Sequence, residues 1–336
     1  MRSKFWKLLL LSVLCYGAVS CNDKKRFQIK TNESRIEVKI NRFDQELIKY
    51  NLKDSNAIRS LYKQYPDFLT IYCSQILDVS HNDTSKVDSL FRNFSTDTNF
   101  KKVNDKVLSV FDDVSDIEQT ISDAFTTIKH HFPKAIFPKI YFFVSGFNRS
   151  VIMNENIIGI GTDFYLGEDY PPYKEISYKY LLYNMRRECV ATDIVSATLF
   201  RMFLMDAKED RLLDHMLFRG KVMFVLSACM SDQTEAEIMG YRTEQMEWCL
   251  KYEKDIWGTI IDHKDLFSSD LLLIKKYLNE GPFTAPISQD SPGRLGTWIG
   301  LRIIESYMES HPKTSLLELM RENNYQKILQ ESKYRP

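Results

Sequence analysis

The fold class is set by residues 138–161, which read PKIYFFVSGFNRSVIMNENIIGIG. After Pro138, residues 140–144 form a short run of β-branched and aromatic residues that Ser145-Gly146 ends, and such a run predicts a strand. Residues 151–153 and 157–161 are two further apolar runs, and Asn154-Glu155-Asn156 between them is typical of a hairpin turn. We therefore predict one small β-sheet in the middle of the chain.

Sequence patterns typical of helices lie on both sides of this predicted sheet. Before it, residues 36–40 alternate apolar and polar and predict one more strand. The apolar spacing then predicts helices up to about residue 63, over 68–77 and 87–94, and along 103–131. After the sheet, helices are predicted over 178–205, 221–229, 243–259, 270–278 and 314–330. The predicted fold class is α+β, predominantly helical, with one small mid-chain β-sheet.

One more helix is predicted after residue 291. Ser291 is a suitable cap, Pro292 suits the first helical position, and Pro312 ends the helix. Gly296 and Gly300 stand four residues apart on it. Because glycine has no side chain, another backbone can approach the helix closely at these two positions.

The N-terminus has the order of a secretory signal peptide: a positive segment with Arg2, Lys4 and Lys7, an almost wholly apolar segment over 8–14, and small residues after it. The apolar segment is too short to span a membrane, which takes about 20 residues. Ala18-Val19-Ser20-Cys21 resembles the bacterial lipobox, in which the cysteine is acylated and becomes the new N-terminus. Plain secretion and a retained anchor helix are the alternatives.

These observations predict three parts of the chain: a lipoprotein signal peptide over 1–20, a membrane-proximal linker over 21–34, and a single globular domain over 35–336. Lipid on Cys21 would anchor the domain, provided that more than one acyl chain is attached. Residues 22–26 contain no acidic run, which favours a domain that faces the periplasm, with the outer membrane as its predicted site.

Composition excludes one class of partner and predicts a folded core. Removal of residues 1–20 leaves 42 basic and 45 acidic residues, so no overall positive charge favours nucleic acid. Hydrophobic residues make up 44% of the chain, which is enough for a packed core. Four cysteines remain after Cys21. Cys229 and Cys249 could pair, but four cysteines in so long a chain are more typical of core residues.

A sheet followed by a helix is also the layout of zinc peptidases, which place two histidines four residues apart on the helix. The corresponding helix here carries Glu188, Cys189 and Asp193 but no histidine. Cys189 and Asp193 share one face, yet no third ligand is evident. We predict no metal, no cofactor and no catalytic residue. The alternative is a hydrolase with an atypical site around these three residues.

Several charged residues stand beside apolar runs and are predicted to be buried, where a charge needs a partner: Asp44, Asp163, Glu188, Asp193, Asp232, Arg242 and Arg294. They form either a carboxylate–arginine pocket for a ligand or internal ion pairs, and we favour ion pairs because structural networks imitate functional sites. Asp163, Glu188, Asp193, Arg294 and Trp298 are the candidate ligand or ion-pair residues. A ligand-binding module that uses Arg294 and Trp298 is a further alternative.

Five segments together point to a known family. They are Arg42-Phe43-Asp44, Tyr65-Pro66-x-Phe68, the block over 132–147, the block over 160–167, and the block over 291–300. With the lipobox and in this order, they resemble the GldB family of gliding-motility lipoproteins, found in Bacteroidetes, over nearly the whole chain.

The resemblance implies an envelope lipoprotein that is associated with surface gliding in some members. The layout is also similar to that of predicted zinc peptidases with a His-Glu-x-x-His helix, whose ligands are absent from residues 187–193 here. Together these likenesses imply a degenerate zincin-like scaffold without its metal. We expect a non-catalytic envelope lipoprotein that binds or assembles with envelope proteins.

Overall fold

The structure is a computed structural model that describes residues 26–29, 34–50, 52–54 and 56–336. The predicted fold class is confirmed, since the described residues form fifteen α-helices and one four-stranded sheet. The chain divides into two compact units. We call Ile36–Ser122 with Ala135–Met202 the sheet unit, and Asp123–Lys134, Phe203–Pro336 and the described residues before Ile36 the helical unit. The single domain over 35–336 stays a prediction.

The sheet has four short strands in the order β1-β2-β4-β3. They are β1 (Ile40–Arg42), β2 (Lys139–Phe143), β3 (Val151–Met153) and β4 (Ile157–Gly161). β1 and β4 pair with β2 in parallel, while β3 and β4 form the predicted antiparallel hairpin. All five residues of β4 are buried, which agrees with a strand covered on both faces.

The strand predicted over 36–40 begins only at Ile40, and this boundary has a physical cause. The Val38 amide donates to the Ser122 hydroxyl at 3.0 Å, and the Ile40 amide donates to the Glu118 carboxylate at 2.9 Å. Side chains of a neighbouring helix therefore take the backbone donors that a longer strand would need for its ladder.

The helices of the sheet unit surround a core rich in aromatic rings. They are α1 (Phe43–Lys49), α2 (Ala57–Gln64), α3 (Pro66–Gln75), α4 (Thr84–Thr96), α5 (Thr98–Val110), the first part of α6 (Ser115–His131), α7 (Tyr173–Ile176) and α8 (Cys189–Met202). Phe68 of α3 stacks on Tyr141 of β2 at 4.4 Å between ring centroids and meets Phe43 edge-on at 4.9 Å. These contacts join α1 and α3 to the sheet.

Two of the predicted helices in this part of the chain are wrong in extent. The helical text over 103–131 is interrupted, because Phe111 caps α5 and the Asp113 carboxylate accepts the Ser115 amide at 2.8 Å where α6 begins. The helix predicted over 178–205 is regular only from Cys189. Residues before it lie in turns, where the Gly167 amide donates to the Met185 carbonyl and Arg187 pairs with Asp116. These long-range partners hold the segment out of the helix.

The helical unit is built on two helices that cross in close contact. Its members are the last part of α6, then α9 (Leu212–Cys229), α10 (Glu235–Met239), α11 (Thr243–Asp262), α12 (Leu271–Leu278), α13 (Leu295–Ser310), α14 (Leu316–Arg321) and α15 (Tyr325–Ser332). A Cβ atom added at Gly300 of α13 would lie 2.0 Å from the Met216 carbonyl oxygen of α9. One added at Gly220 of α9 would lie 2.3 Å from the Gly300 carbonyl carbon. The close approach predicted at Gly300 is thus confirmed.

The predicted start of α13 is wrong. Its N-cap is Arg294, which has a left-handed backbone with φ of 60°, and not Ser291. The Ser291 hydroxyl accepts the Thr284 amide at 2.9 Å, and the Thr284 hydroxyl accepts the Leu295 amide at 3.2 Å. A side chain from the preceding loop therefore satisfies the first helical donor.

The helix predicted over 314–330 is two helices. Ser315 and Glu318 form a capping box at the start of α14, and the Asn324 side chain accepts the Lys327 amide at 3.0 Å to cap α15. These two N-caps, nine residues apart, divide the predicted helix into two. No helix in the described part of the chain combines the length and the apolar character that a membrane crossing requires.

The close crossing of α9 and α13 gives a direct test. We expect Gly300→Ala to lower the free energy of unfolding by about 3 kcal/mol, because its methyl group must displace backbone rather than a side chain. Gly258→Ala in α11 is the matched control. No atom lies within 4 Å of its added Cβ, so it should raise stability by up to about 1 kcal/mol. Urea unfolding followed by circular dichroism would measure both changes, and equal stability of Gly300→Ala and the parent would contradict the close crossing.

Candidate functional site

Cys21, the predicted lipid-attachment residue, lies outside the described residues, so its acylation stays a prediction. The signal peptide over 1–20 and most of the linker over 21–34 lie outside them as well.

The atypical site predicted around Glu188, Cys189 and Asp193 lies at the start of α8. Glu188 is exposed, which makes the prediction that it is buried wrong, and Cys189 and Asp193 are half-buried. The Tyr165 hydroxyl donates to the Asp193 carboxylate at 2.7 Å. Burial, then the charge of Asp193, raises the pKa of the Cys189 thiol to about 11. Since the thiolate is the reactive form, a raised pKa makes the Cys189 thiol a weak nucleophile near neutral pH.

The same region offers little for a metal ion. Within the residues that the structure describes, no group of three or more His, Cys, Asp or Glu side chains is placed to hold one. Cys73, Cys189, Cys229 and Cys249 are free thiols, and all but Cys189 are buried. The interpretation of Cys229 and Cys249 as core residues therefore agrees with their positions.

Asp163 is buried as predicted, but its partners are backbone groups and a hydroxyl. It lies on a short 3₁₀ turn (Thr162–Phe164) directly after β4. Its carboxylate accepts the Ser145 amide at 3.0 Å, the Ser145 hydroxyl at 2.9 Å and the Phe147 amide at 2.6 Å. Burial raises the pKa of Asp163, and these three donors oppose the rise. The residue clamps the loop after β2 to the end of β4.

Among the other charged residues predicted to be buried, the outcome is divided. Asp44 is fully buried and forms a two-pronged pair with Arg42, whose Nη2 lies 2.8 Å from the carboxylate. Burial raises the pKa of Asp44, and the guanidinium opposes that rise. Asp232 and Arg242 are exposed, so the prediction is wrong for them. Asp232 lies just after the end of α9, and Arg242 is the N-cap of α11. Both therefore lie at helix ends, where the chain is close to solvent.

Arg294 and Trp298 each contact other groups of the helical unit. The Trp298 ring is fully buried, and its indole N–H donates to the Glu235 carboxylate at 2.9 Å. The Arg294 guanidinium is partly exposed, lies 3.7 Å from Glu280 and donates to the Met239 carbonyl. Each side chain is thus satisfied within the helical unit, which favours the structural interpretation over the ligand-binding module.

A polar cavity of about 460 Å³ lies elsewhere in the helical unit. Residues 206–214, before and at the start of α9, form one wall, and residues 322–326, between α14 and α15, form the other. The lining combines carboxylates with two cations: Asp206, Glu209, Asp214 and Glu322, with Lys208 and Arg211. Asn323, Asn324, Tyr325 and Gln326 complete it. Its size is that of a site for a small ligand or a side chain.

The second wall is held by a buried lysine. Lys221 of α9 is 1% exposed, and its ammonium donates to the Glu322 carbonyl at 2.9 Å and to the Met320 carbonyl at 3.4 Å. The same nitrogen lies 4.9 Å from the centre of the Tyr325 ring. Lys221 therefore caps the end of α14 and orients the first residue of α15.

Sequence reasoning missed this cavity for a local reason. The helix predicted over 314–330 hid the break at 322–324, and Lys221 reads as an ordinary polar position in an apolar helix. The one available signal was the pair of caps, Ser315 with Glu318 and then Asn324, inside the predicted helix.

The buried clamp at Asp163 predicts a large loss of stability on truncation. We expect Asp163→Ala to lower the free energy of unfolding by about 3 kcal/mol, because the buried amide and hydroxyl of Ser145 and the half-buried amide of Phe147 lose their acceptor. Asp83→Ala is the control: this exposed carboxylate caps α4 by accepting the Lys86 amide, and its loss should cost about 1 kcal/mol. Chemical unfolding would rank the two, and equal costs would show that burial of Asp163 adds nothing.

Lys221 predicts a pH dependence with a defined sign. Burial lowers its pKa from 10.5 to about 8, so between these values the unfolded chain binds more protons than the folded one. The contribution of Lys221 to the free energy of unfolding therefore rises with pH between these two pKa values. Relative to Lys221→Met, the parent should gain about 2 kcal/mol of unfolding free energy between about pH 7.5 and 9.5. Lys254→Met, at an exposed position of α11, should leave the pH dependence of the unfolding free energy unchanged. If the difference in unfolding free energy between the parent and Lys221→Met did not change with pH, the lowered pKa of Lys221 would be refuted.

The comparison with protein families agrees with the resemblance seen in the sequence. The model of the family described as gliding motility protein GldB matches residues 24–336. No curated protein and no solved structure matches the chain. Because the family match covers both units, the chain belongs to the gliding motility protein GldB family.

Proposed function

We propose that this protein is a non-catalytic lipoprotein of the bacterial cell envelope, of the gliding-motility-associated type, which binds or assembles with envelope proteins. The observation that carries the proposal is the family match over residues 24–336, which begins just after the Ala18-Val19-Ser20-Cys21 lipobox. An N-terminal lipid anchor followed by a folded domain is the arrangement of a membrane-tethered protein.

The proposed anchor is lipid on Cys21, with palmitate among its acyl chains. A single acyl chain binds a membrane only marginally, whereas two or more hold a protein stably. The proposed location is the outer membrane, with the folded body in the periplasm. The linker over 21–34 would give the body its reach from the bilayer.

A binding role is supported by the chemistry of the described residues. At Glu188, Cys189 and Asp193, the thiol is held neutral by burial and the glutamate faces solvent. Asp163 and Lys221 are each engaged by backbone groups. In contrast, the cavity at 206–214 and 322–326 is open and polar, which suits recognition of a partner.

Replacement of the lipobox cysteine tests the anchor. In the host, Cys21→Ala should abolish incorporation of radiolabelled palmitate and release the protein from the membrane fraction, because the acyl chains are its only proposed hold on the bilayer. Cys189→Ser is the matched control, since it removes a cysteine at the start of α8 and should stay acylated and membrane-bound. Membrane retention of Cys21→Ala without fatty acid would overturn the proposal.

The same strains separate binding from catalysis. The defect of a deletion strain in spreading or growth should persist with Cys21→Ala and be rescued by Glu188→Gln and Cys189→Ser. Loss of rescue by these two variants, with normal protein levels, would favour the hydrolase alternative instead.

A further inference from the structure

The chain is fixed to the helical unit only a few residues after Cys21. The Arg26 guanidinium donates to the Pro312 carbonyl at 2.9 Å. Phe27 is 5% exposed, and the ring of Phe224 in α9 meets its ring edge-on at 5.9 Å between centroids. The predicted linker is therefore already packed against the folded body at these two residues.

This attachment limits how far the helical unit can stand from the bilayer. A fully extended chain spans at most about 3.6 Å per residue, so Arg26 lies within about 18 Å of Cys21, five residues before it. Acyl chains on Cys21 would hold that residue at the membrane surface. The part of the helical unit around Arg26 then lies close to the lipid headgroups.

Arg26 and Phe27 lie at one end of the helical unit, where two helices terminate. Pro312 lies two residues after the end of α13, and the Phe27 carbonyl oxygen lies 2.8 Å from Nε2 of His131, the last residue of α6. Since α13 has sixteen residues, its first turn lies about 24 Å from this end. We call residues 26–27, 129–134, 203–204 and 309–313 the anchor end.

The anchor end exposes an apolar side chain. Leu204 is 83% exposed, the largest exposed fraction of a large apolar side chain among the described residues. It belongs to this end because the ring of Phe203, the residue before it, packs on Phe132 at 5.0 Å between centroids. An exposed leucine next to a lipid anchor can insert between headgroups.

The anchor end also carries a local excess of positive charge. Its residues include four cations, Arg26, Lys129, Lys134 and Lys313, and one carboxylate, Glu309. Glu331 of α15 adds a second carboxylate, which lies 3.6 Å from the ring of His311. Lys129, Lys134 and Lys313 are exposed. Cations within a Debye length of a bilayer are attracted by anionic phospholipids.

We propose that the anchor end lies on the bilayer that holds Cys21, with Leu204 between headgroups and with Lys134 and Lys313 paired with anionic phospholipids. The inference rests on the proposed lipid anchor and adds the orientation of the helical unit. One leucine and a few lysines bind a bilayer too weakly to retain a protein. The acyl chains hold the body, and this contact orients it, so that the start of α13 lies away from the membrane.

Fluorescence quenching on the full-length acylated protein tests the orientation. A fluorophore is attached to Ser310→Cys, at the anchor end, or to Gln289→Cys, in the loop before α13; both residues are exposed. Cys189→Ser removes the one free thiol that is not buried. The vesicles contain phosphatidylcholine, phosphatidylglycerol and a lipid with a spin label on its headgroup. Quenching at 310 should exceed quenching at 289 by at least about three-fold, because about 24 Å of helix separates the two positions.

Variants test whether the surface, and not the short tether alone, sets the orientation. Leu204→Ser and Lys134→Gln/Lys313→Gln should each lower quenching of the label at the anchor end about two-fold or more. The lysine effect should disappear in vesicles of phosphatidylcholine alone. Leu250→Ser and Lys254→Gln, exposed on α11, are the matched controls and should leave quenching unchanged. Thermal unfolding checks that each variant is folded.

Three results would overturn the inference. Equal quenching of the two labels would mean that no face of the helical unit is preferred. Unchanged quenching in folded Leu204→Ser and Lys134→Gln/Lys313→Gln would mean that the tether alone positions the protein. A label at Ser310→Cys that vesicles leave unquenched, but that host envelopes shield from aqueous iodide, would assign this surface to a protein partner.

Flotation separates this inference from the proposed anchor. Protein that lacks fatty acid on Cys21 and does not float with the vesicles would overturn the anchor, and the orientation with it. Protein that floats, but whose two labels are equally quenched, would overturn the orientation and leave the anchor standing.

Discussion

The helical unit depends on the absence of two side chains. Gly220 and Gly300 let the backbones of α9 and α13 touch, and a methyl group at either position would enter the main chain of the other helix. This contact sets where the rest of α9 lies. Lys221, the next residue, thereby reaches the Met320 and Glu322 carbonyls, and these carbonyls fix the wall that presents Tyr325. The position of the cavity is thus a consequence of helix packing, because protein interiors are densely packed and a shift of one helix displaces its neighbours.

The two units solve the problem of a buried charge in the same way. In the sheet unit, backbone amides of Ser145 and Phe147 meet the Asp163 carboxylate; in the helical unit, backbone carbonyls meet the Lys221 ammonium. At Asp163, backbone amides and the Ser145 hydroxyl replace the ion pair that the sequence predicted, whereas the buried Asp44 does pair with Arg42. Such charges stabilise a loop conformation, because the backbone groups would be unsatisfied without them.

The sequence predicted those features that depend on local periodicity. The hairpin of β3 and β4, the four-residue spacing of Gly296 and Gly300, and most helices follow from alternation or helical repeats. The wrong predictions depend on partners distant in sequence. Thr284 supplies the donor partner at Leu295, and Ser122 takes the Val38 amide that a strand would use. Burial of a charge leaves no periodic signal either, so Asp232 was predicted inside and Lys221 was not.

The proposed lipid anchor bears on how strong a contact with a partner protein would have to be. The chain as a whole is nearly neutral, so its long-range field does not select a partner, and exposed charges are screened over about 10 Å at 0.1 M salt. Selection of a partner protein would then depend on short-range contacts. If the proposed lipid anchor holds this protein at the same membrane as a partner protein, their effective concentration rises, and a contact of modest intrinsic affinity suffices.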